Sequence, residues 1–414
     1  MLRAVRATNA GYLATCFIVV LWVVLSQACG GGGGTSGDNS GGPPGVNPGS
    51  TGTPETPAPA PTATPTPIVI RGGENIAALV RDAPPGATVL VAPGTYAPVV
   101  LGPGDLQGPI TLFGDITGEL TETSPAPITV LARSGDRAAI ELSGQRSLTI
   151  DGFTLRGGSE AGILVDGSTE VTVRNCVLSR SESDAVLFER STNGVVFNNL
   201  IFDNLGAGIA VLGSSDVQII NNTIAENNDT GIFVGVDDGG QPSANIVLQN
   251  NIIANNVPAG VVVDTVPPTS LTGFQGDFNL NIDGYDGPAP GPNDIRMDPL
   301  FILPAAGDFR LAAPSSPALD AGSSALDEKL LAGLLQRTTQ SDGTLDTLPV
   351  DLGYHFPPPF IAPAPGPTSP PQGTAIPSVP SSGATPTPKP PTTMKPTRTR
   401  MPTLTPLPTF TPRL

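Results

Sequence analysis

Short apolar runs parted by Asn and Gly dominate the middle of the chain. Ile150-Asp151-Gly152-Phe153-Thr154-Leu155 is echoed by Val173-Arg174-Asn175-Cys176-Val177-Leu178. Further copies are Phe197-Asn198-Asn199-Leu200-Ile201-Phe202, Ile219-Ile220-Asn221-Asn222-Thr223-Ile224 and Leu248-Gln249-Asn250-Asn251-Ile252-Ile253. A second motif runs between them, with Ile163, Val186, Ile209, Ile232 and Val261 at its centre, so the steps are 23, 23, 23 and 29 residues. The insert Val236 to Ala244 accounts for the long last step.

A period of this length, holding two or three short β runs per repeat, predicts a β-solenoid. Each coil is too short to bury its own apolar residues, and stacking sets equivalent positions about 4.8 Å apart. Ile163, Val186, Ile209, Ile232 and Val261 should form one internal column, and Val165, Phe188, Val211, Val234 and Val263 the next. Asn at the corners tolerates the left-handed backbone of a sharp turn. Asn222 and Asn251 align with Phe153, Cys176 and Leu200, which predicts inward side chains hydrogen-bonded along the axis. Cys176 is then a packed core residue. The outward positions Leu164, Leu187, Ala210, Phe233 and Val262 form an apolar stripe that either is covered, by the insert at 236–244 or the segment 265–276, or marks a binding face.

Composition fits an all-β body between irregular ends. With 50 Gly and 48 Pro among 414 residues, helical bundles and coiled coils are excluded. Residues 29–67 are a Gly/Ser/Pro/Thr tether, and 357–414 are a Pro/Thr-rich tail carrying +5; both compositions predict disorder. The body, 68–356, has 13 basic and 34 acidic residues and carries −21. The net charge of −16 argues against a nucleic-acid partner. A single histidine, His355, leaves little for zinc or for His-activated nucleophiles.

Arg3 and Arg6 precede an apolar run from about Tyr12 to Leu25, then Ser26-Gln27-Ala28-Cys29. This predicts a signal peptide over 1–28 and export of the remainder. The segment resembles a bacterial lipoprotein signal, which implies acylation of Cys29 and a membrane tether there, although Ser26 stands where that signal usually has Leu. Cys176 would be the only cysteine left in the body, so stability outside the cell must come from packing.

The repeats resemble the right-handed parallel β-helix proteins of the pectate-lyase-like superfamily, with repeats of the carbohydrate-binding and sugar-hydrolase type. Gly86-Ala87-Thr88-Val89-Leu90-Val91-Ala92-Pro93-Gly94-Thr95-Tyr96 is similar to that family's first coil. Glu74 to Ala83 would be the short N-terminal helix that caps it. Asp298-Pro299-Leu300-Phe301, Asp308-Phe309-Arg310-Leu311, Ser316 to Gly322 and Asp351-Leu352-Gly353-Tyr354 resemble the closing segment of bacterial surface β-helices. The resemblance is specific for fold and weak for chemistry, since the superfamily spans lyases, hydrolases, epimerases and adhesins.

The Gly-His-Gly and Arg-x-Lys pattern of the family's hydrolases is absent, and no Lys precedes Lys329 in the body. A lyase would need an Arg base, with Arg156, Arg174, Arg180 or Arg190 available, and Ca²⁺ or Arg to neutralise a uronate carboxylate. Arg180, Asp184, Asp203, Glu226 and Asp229 lie on loops before the Gly-containing strand, where function tends to sit. Asp166 and Glu189 share a column on successive coils beside Arg190, a spacing that suits a glycosidase pair or a Ca²⁺ site. The pattern Asp277-x-Asn279-x-Asn281-x-Asp283-Gly284 resembles a calcium loop without its later acidic ligand. The alternation of Phe278, Leu280 and Ile282 with these residues favours a strand with one buried face instead. Stacking partners for sugars are few, because the only Trp is Trp22.

The resemblance implies an exported, lipid-tethered cell-surface protein that binds extracellular polysaccharide or cell-wall glycan and has no clear catalytic site. The alternatives are a Ca²⁺-dependent pectate-type lyase with an Arg base, and a structural or adhesive stalk.

Overall fold

A computed structural model of the chain describes residues 67–264 and 272–358. The expected signal, Cys29, the tether and all but the first residues of the tail lie outside them. Within them, three sheets of stacked parallel strands form a β-helix. The nine-stranded first sheet includes Thr172–Arg174, Val195–Phe197, Ser215–Ile220, Ala244–Gln249 and Gln275–Asp277. The second has eight strands, among them Val177–Ser179, Leu200–Phe202, Thr223–Ala225 and Ile252–Ala254. The third also has eight, among them Ala161–Asp166, Asp184–Glu189, Ile209–Leu212, Ile232–Gly235 and Val261–Val263.

The register matches the repeat. Ile163 pairs with Val186, Val186 with Ile209, Ile209 with Ile232 and Ile232 with Val261. All five are fully buried, and each such side chain contributes roughly 1.5–3 kcal/mol through loss of apolar surface to water. Val165, Phe188, Val211, Val234 and Val263 form the adjoining column. Because a parallel stack repeats every environment once per coil, the same residue class recurs at the same place.

The corners explain the Asn. Asn175, Asn198, Asn221 and Asn250 take positive φ (55°, 53°, 53° and 58°) between the first and second sheets, a conformation that Asn accepts at low cost. The next residue points inward, and this column is Phe153, Cys176, Asn199, Asn222, Asn251 and Asn279. Asn199, not Leu200, therefore continues the column. Leu200 starts the second-sheet strand and packs outward against Phe309 and Tyr354. Asn199 donates its backbone N–H and Nδ2 to Asn222 Oδ1 (2.9 and 3.0 Å), Asn222 does the same to Asn251, and Asn251 to Asn279. A second ladder runs through Asn204, Asn227 and Asn256 at the next corner. Cys176 is buried in the core, which pushes its thiol up to about 12.

Helix α1 (Ile76–Arg81) covers the open first coil with Ile76, Ala77 and Val80 buried. It is shorter than the expected 74–83 because Asn75 already caps it, accepting from Ala78 N at 3.1 Å.

Residues 299–356 fold back along the outside of the first two sheets. Helix α2 (Glu328–Leu334) brings Leu334, with Val350, against Phe197 and Ile220. Leu311, Ala318 and Leu352 cover Ile252, Ala254 and Leu280. The outward corner asparagines hold this strap. Asn198 accepts from His355 N (2.6 Å) and donates to His355 O (3.1 Å), Asn221 donates to Asp351 O (3.2 Å), and Asn250 exchanges two bonds with Ser323 (both 2.8 Å). The His355 ring is sealed beneath it, with Nε2 2.7 Å from Asp346 and Nδ1 2.9 Å from Gly353 O. Both ring nitrogens thus face acceptors.

Candidate functional site

Acidic residues named from the sequence fall into separate local arrangements. Arg180 and Asp203 occupy left-handed corner positions on successive coils (φ 60° and 56°) and pair at 3.4 Å, both largely exposed. Glu226 follows in the same corner column, its carboxyl raised above the usual range by burial and by the charge of Asp203. Asp184 starts a third-sheet strand instead, where it is buried and accepts from Ala207 N at 2.8 Å. Asp229 accepts from the N–H of Thr230 at 2.6 Å. The five residues therefore split between a corner column, exposed at Arg180 and Asp203 and half-buried at Glu226, and two backbone anchors.

Asp166 and Glu189 are register partners, as their spacing implies. Arg190 bridges them, with one nitrogen 2.8 Å from Glu189 and another 2.7 Å from Asp166. The guanidinium fills the space between the carboxylates that a scissile bond or an ion would need.

Residues 277–283 turn a corner. The strand Gln275–Asp277 ends at Phe278 (φ 57°), Asn279 points inward, and Leu280–Asn281 begins the second-sheet strand. The expected continuous strand is thus broken, because one coil must bend where the previous ones do. The oxygens of the calcium-like pattern meet N–H donors of this chain. Asp277 accepts from Phe278 N and from both nitrogens of Asn293 at 2.8–2.9 Å. Asn279 Oδ1 ends the Asn251 bonds, Asn281 Oδ1 takes Gly284 N (2.9 Å), and Asp283 takes the N–H groups of Asn255 and Asn256 (both 2.8 Å). Among the described residues no group of three or more His, Cys, Asp or Glu could hold a metal ion.

Two carboxylates close the Asn ladders. Each rung donates towards the C-terminal end, so that end of each ladder presents N–H groups and a partial positive charge. Asp294 accepts there from Asn279, and Asp283 from Asn256. Asp294 also accepts the Tyr285 hydroxyl, which, after burial, is what raises that phenol above its ordinary value.

A cavity of about 600 Å³ lies on the outer face of the first sheet at these last coils. Its floor is Val247 and Gln249, with Gln275 and Asp277 one coil further on, and its walls are Phe274, Phe278 and the Pro288–Pro292 loop. The floor residues Val247 and Gln249 face outward because Ile246 and Leu248, which alternate with them, face the core.

The model of the right handed beta helix region family matches residues 132–273. The described residues of this stretch form a right-handed parallel β-helix. No curated protein matches the chain in sequence. Among solved structures, a pectate lyase is 14% identical over 64% of this chain and 94% of its own, with a TM-score of 0.38. The A-module of a mannuronan C-5 epimerase of Azotobacter vinelandii is 16% identical over 50% and 68%, TM-score 0.36. A polygalacturonase of Erwinia carotovora is 15% identical over 53% and 72%, TM-score 0.33.

On this β-helix the groove sits where the repeat ends and the strap begins. Sequence inspection missed it because Gln249 and Gln275 look like ordinary solvated strand positions. Only the Pro-rich loop, about a dozen residues beyond Gln275, turns them into a floor. The apolar third-sheet stripe is buried at Leu164, Leu187 and Ala210 and half-buried at Phe233 and Val262. The insert, one of its two expected covers, is a tight turn in which Asp237 holds Gln241 N at 2.8 Å; the other, 265–276, lies partly outside the described residues.

Proposed function

We propose that the chain is an exported surface protein, lipid-anchored at Cys29, whose β-helix binds extracellular polysaccharide in the groove of Gln249 and Gln275. The groove is the observation that carries this reading. Two primary amides and the Asp277 carboxylate offer donors and acceptors matched to sugar hydroxyls, and the phenyl groups of Phe274 and Phe278 offer apolar faces to sugar C–H groups. An opening of this size takes a few sugar units, and a long outer sheet lets a polymer continue along the coils. The N-terminal sequence supports delivery to where such polymers are found.

A glycan array probed with the full-chain protein tests it. The expected result is binding to a subset of oligosaccharides, lost in a Gln249→Ala/Gln275→Ala double variant. Failure of the folded wild type to bind any glycan would remove the reading in favour of a structural stalk.

A further inference from the structure

We infer that the cleft between helix α2 and the first sheet is a second binding site, specific for an oxyanionic group of monosaccharide size. Its cavity, about 320 Å³, is lined by Arg174, Asn175 and Phe197 of the β-helix and by Lys329, Gln336 and Arg337 of the strap. Three of the 13 basic residues in a body of charge −21 therefore meet at one opening.

Their partners make the arrangement unequal. Arg174 is held by Asp151 at 2.8 Å, and Asn175 donates to the same carboxylate at 2.7 Å, so this wall is fixed in place. Among the described residues, neither Lys329 nor Arg337 has a carboxylate within ion-pair distance. Glu328, next to Lys329 in sequence, makes no ion pair with it, and Asp342, the acid nearest Arg337 in sequence, accepts from Thr344 N at 2.9 Å. Asp346 is bonded to the buried His355 ring, and its backbone N–H is what meets Arg337, at the carbonyl. Two uncompensated cations facing a third across a cavity repel one another, and an anion between them would offset that repulsion. A guanidinium presents paired N–H donors to a carboxylate or phosphate, and an ammonium adds a point charge. The volume lies at the small end of ligand pockets, which fits one sugar acid or a free oxyanion rather than an oligomer.

This site does not depend on the groove at Gln249, which lies on later coils. Isothermal titration of the full-chain protein at constant ionic strength, with sodium glucuronate, inorganic phosphate and neutral glucose as separate ligands, tests it. Glucuronate alone binding identifies a sugar carboxylate as the ligand, and binding of phosphate as well identifies a general oxyanion site. In either case Lys329→Gln and Arg337→Gln should each weaken binding about tenfold. Lys329 is exposed on α2, so its variant keeps the test valid if Arg337→Gln unfolds the strap. Absence of binding by both anions, or affinities equal in wild type and both variants, would overturn the inference.

Discussion

Asn279 donates its backbone N–H and its side-chain Nδ2 to one oxygen of Asp294, at 2.7 and 3.3 Å. The other oxygen takes Gly291 N at 2.8 Å. A chain of amides that began at Cys176 N thus ends on a negative charge, and the last coil is held to the loop that walls the groove. Removing the carboxylate strands the backbone N–H of the fully buried Asn279, whose Nδ2 keeps Leu248 O and Asp277 O. Asp294→Ala is expected to cost about 3 kcal/mol and Asp294→Asn, which keeps an acceptor, roughly half that, both read from urea unfolding. Equal, negligible losses would show that the ladder does not need its terminal charge.

The ladder interior should be less tolerant than its first rung. Asn222→Ala deprives Asn199 of the acceptor for two bonds and leaves a void, so a loss of roughly 3–4 kcal/mol is expected. Cys176→Val keeps volume and retains the backbone bond to Asn199, and should cost less than about 1.5 kcal/mol. The buried thiol, pushed up to about 12, stays unlabelled by iodoacetamide in the native protein at neutral pH. Peptide-resolved mass spectrometry checks that outcome, with labelling at Cys176 only after denaturation.

Asp351 gives the strap a pH dependence. Its carboxyl is raised above the ordinary 3.8, first by burial and then by the charge of Asp346. The folded state therefore binds more protons than the unfolded chain between 3.8 and the raised value, and stability falls as pH rises through that window. Asp351→Asn removes this titration while leaving an acceptor for Asp320 N, which Asp351 holds at 2.7 Å. Relative to wild type, the variant should gain in urea midpoint as pH rises from below 3.8 through the raised value. A constant difference across that range would contradict the assignment.

The β-helix core was legible because stacking forces one residue class onto one column, as at Ile163, Val186 and Ile209. Register at the first corner was less so, since Asn198, Asn199 and Leu200 all suit a turn by composition. Only the folded backbone separates the left-handed residue from the inward one. The strap's contacts carry no periodic signal at all. Asn198 and His355 meet across 157 residues, and nothing in either local sequence points to the other. The acidic columns were visible as columns, but not the Arg190 bridge that fills the space between Asp166 and Glu189. The groove and the α2 cleft escaped for the same reason as the strap, because each is completed by non-repeating chain.

The proposed anchor has a simple consequence. Cys29→Ser should move most of the protein from the membrane fraction to the soluble exported fraction, because a single residue carries the lipid. Fractionation of cells producing each form measures it. An unchanged membrane fraction would mean that the apolar segment near Tyr12 to Leu25 remains attached.

Hydrogen–deuterium exchange with and without the tightest glycan from the array tests the central claim most directly. The account predicts slower exchange in residues 274–278 and 288–292 and none of note at 180–190. Protection around Arg180 to Arg190 with the groove unaffected would contradict it, and would place recognition at the charged corners instead.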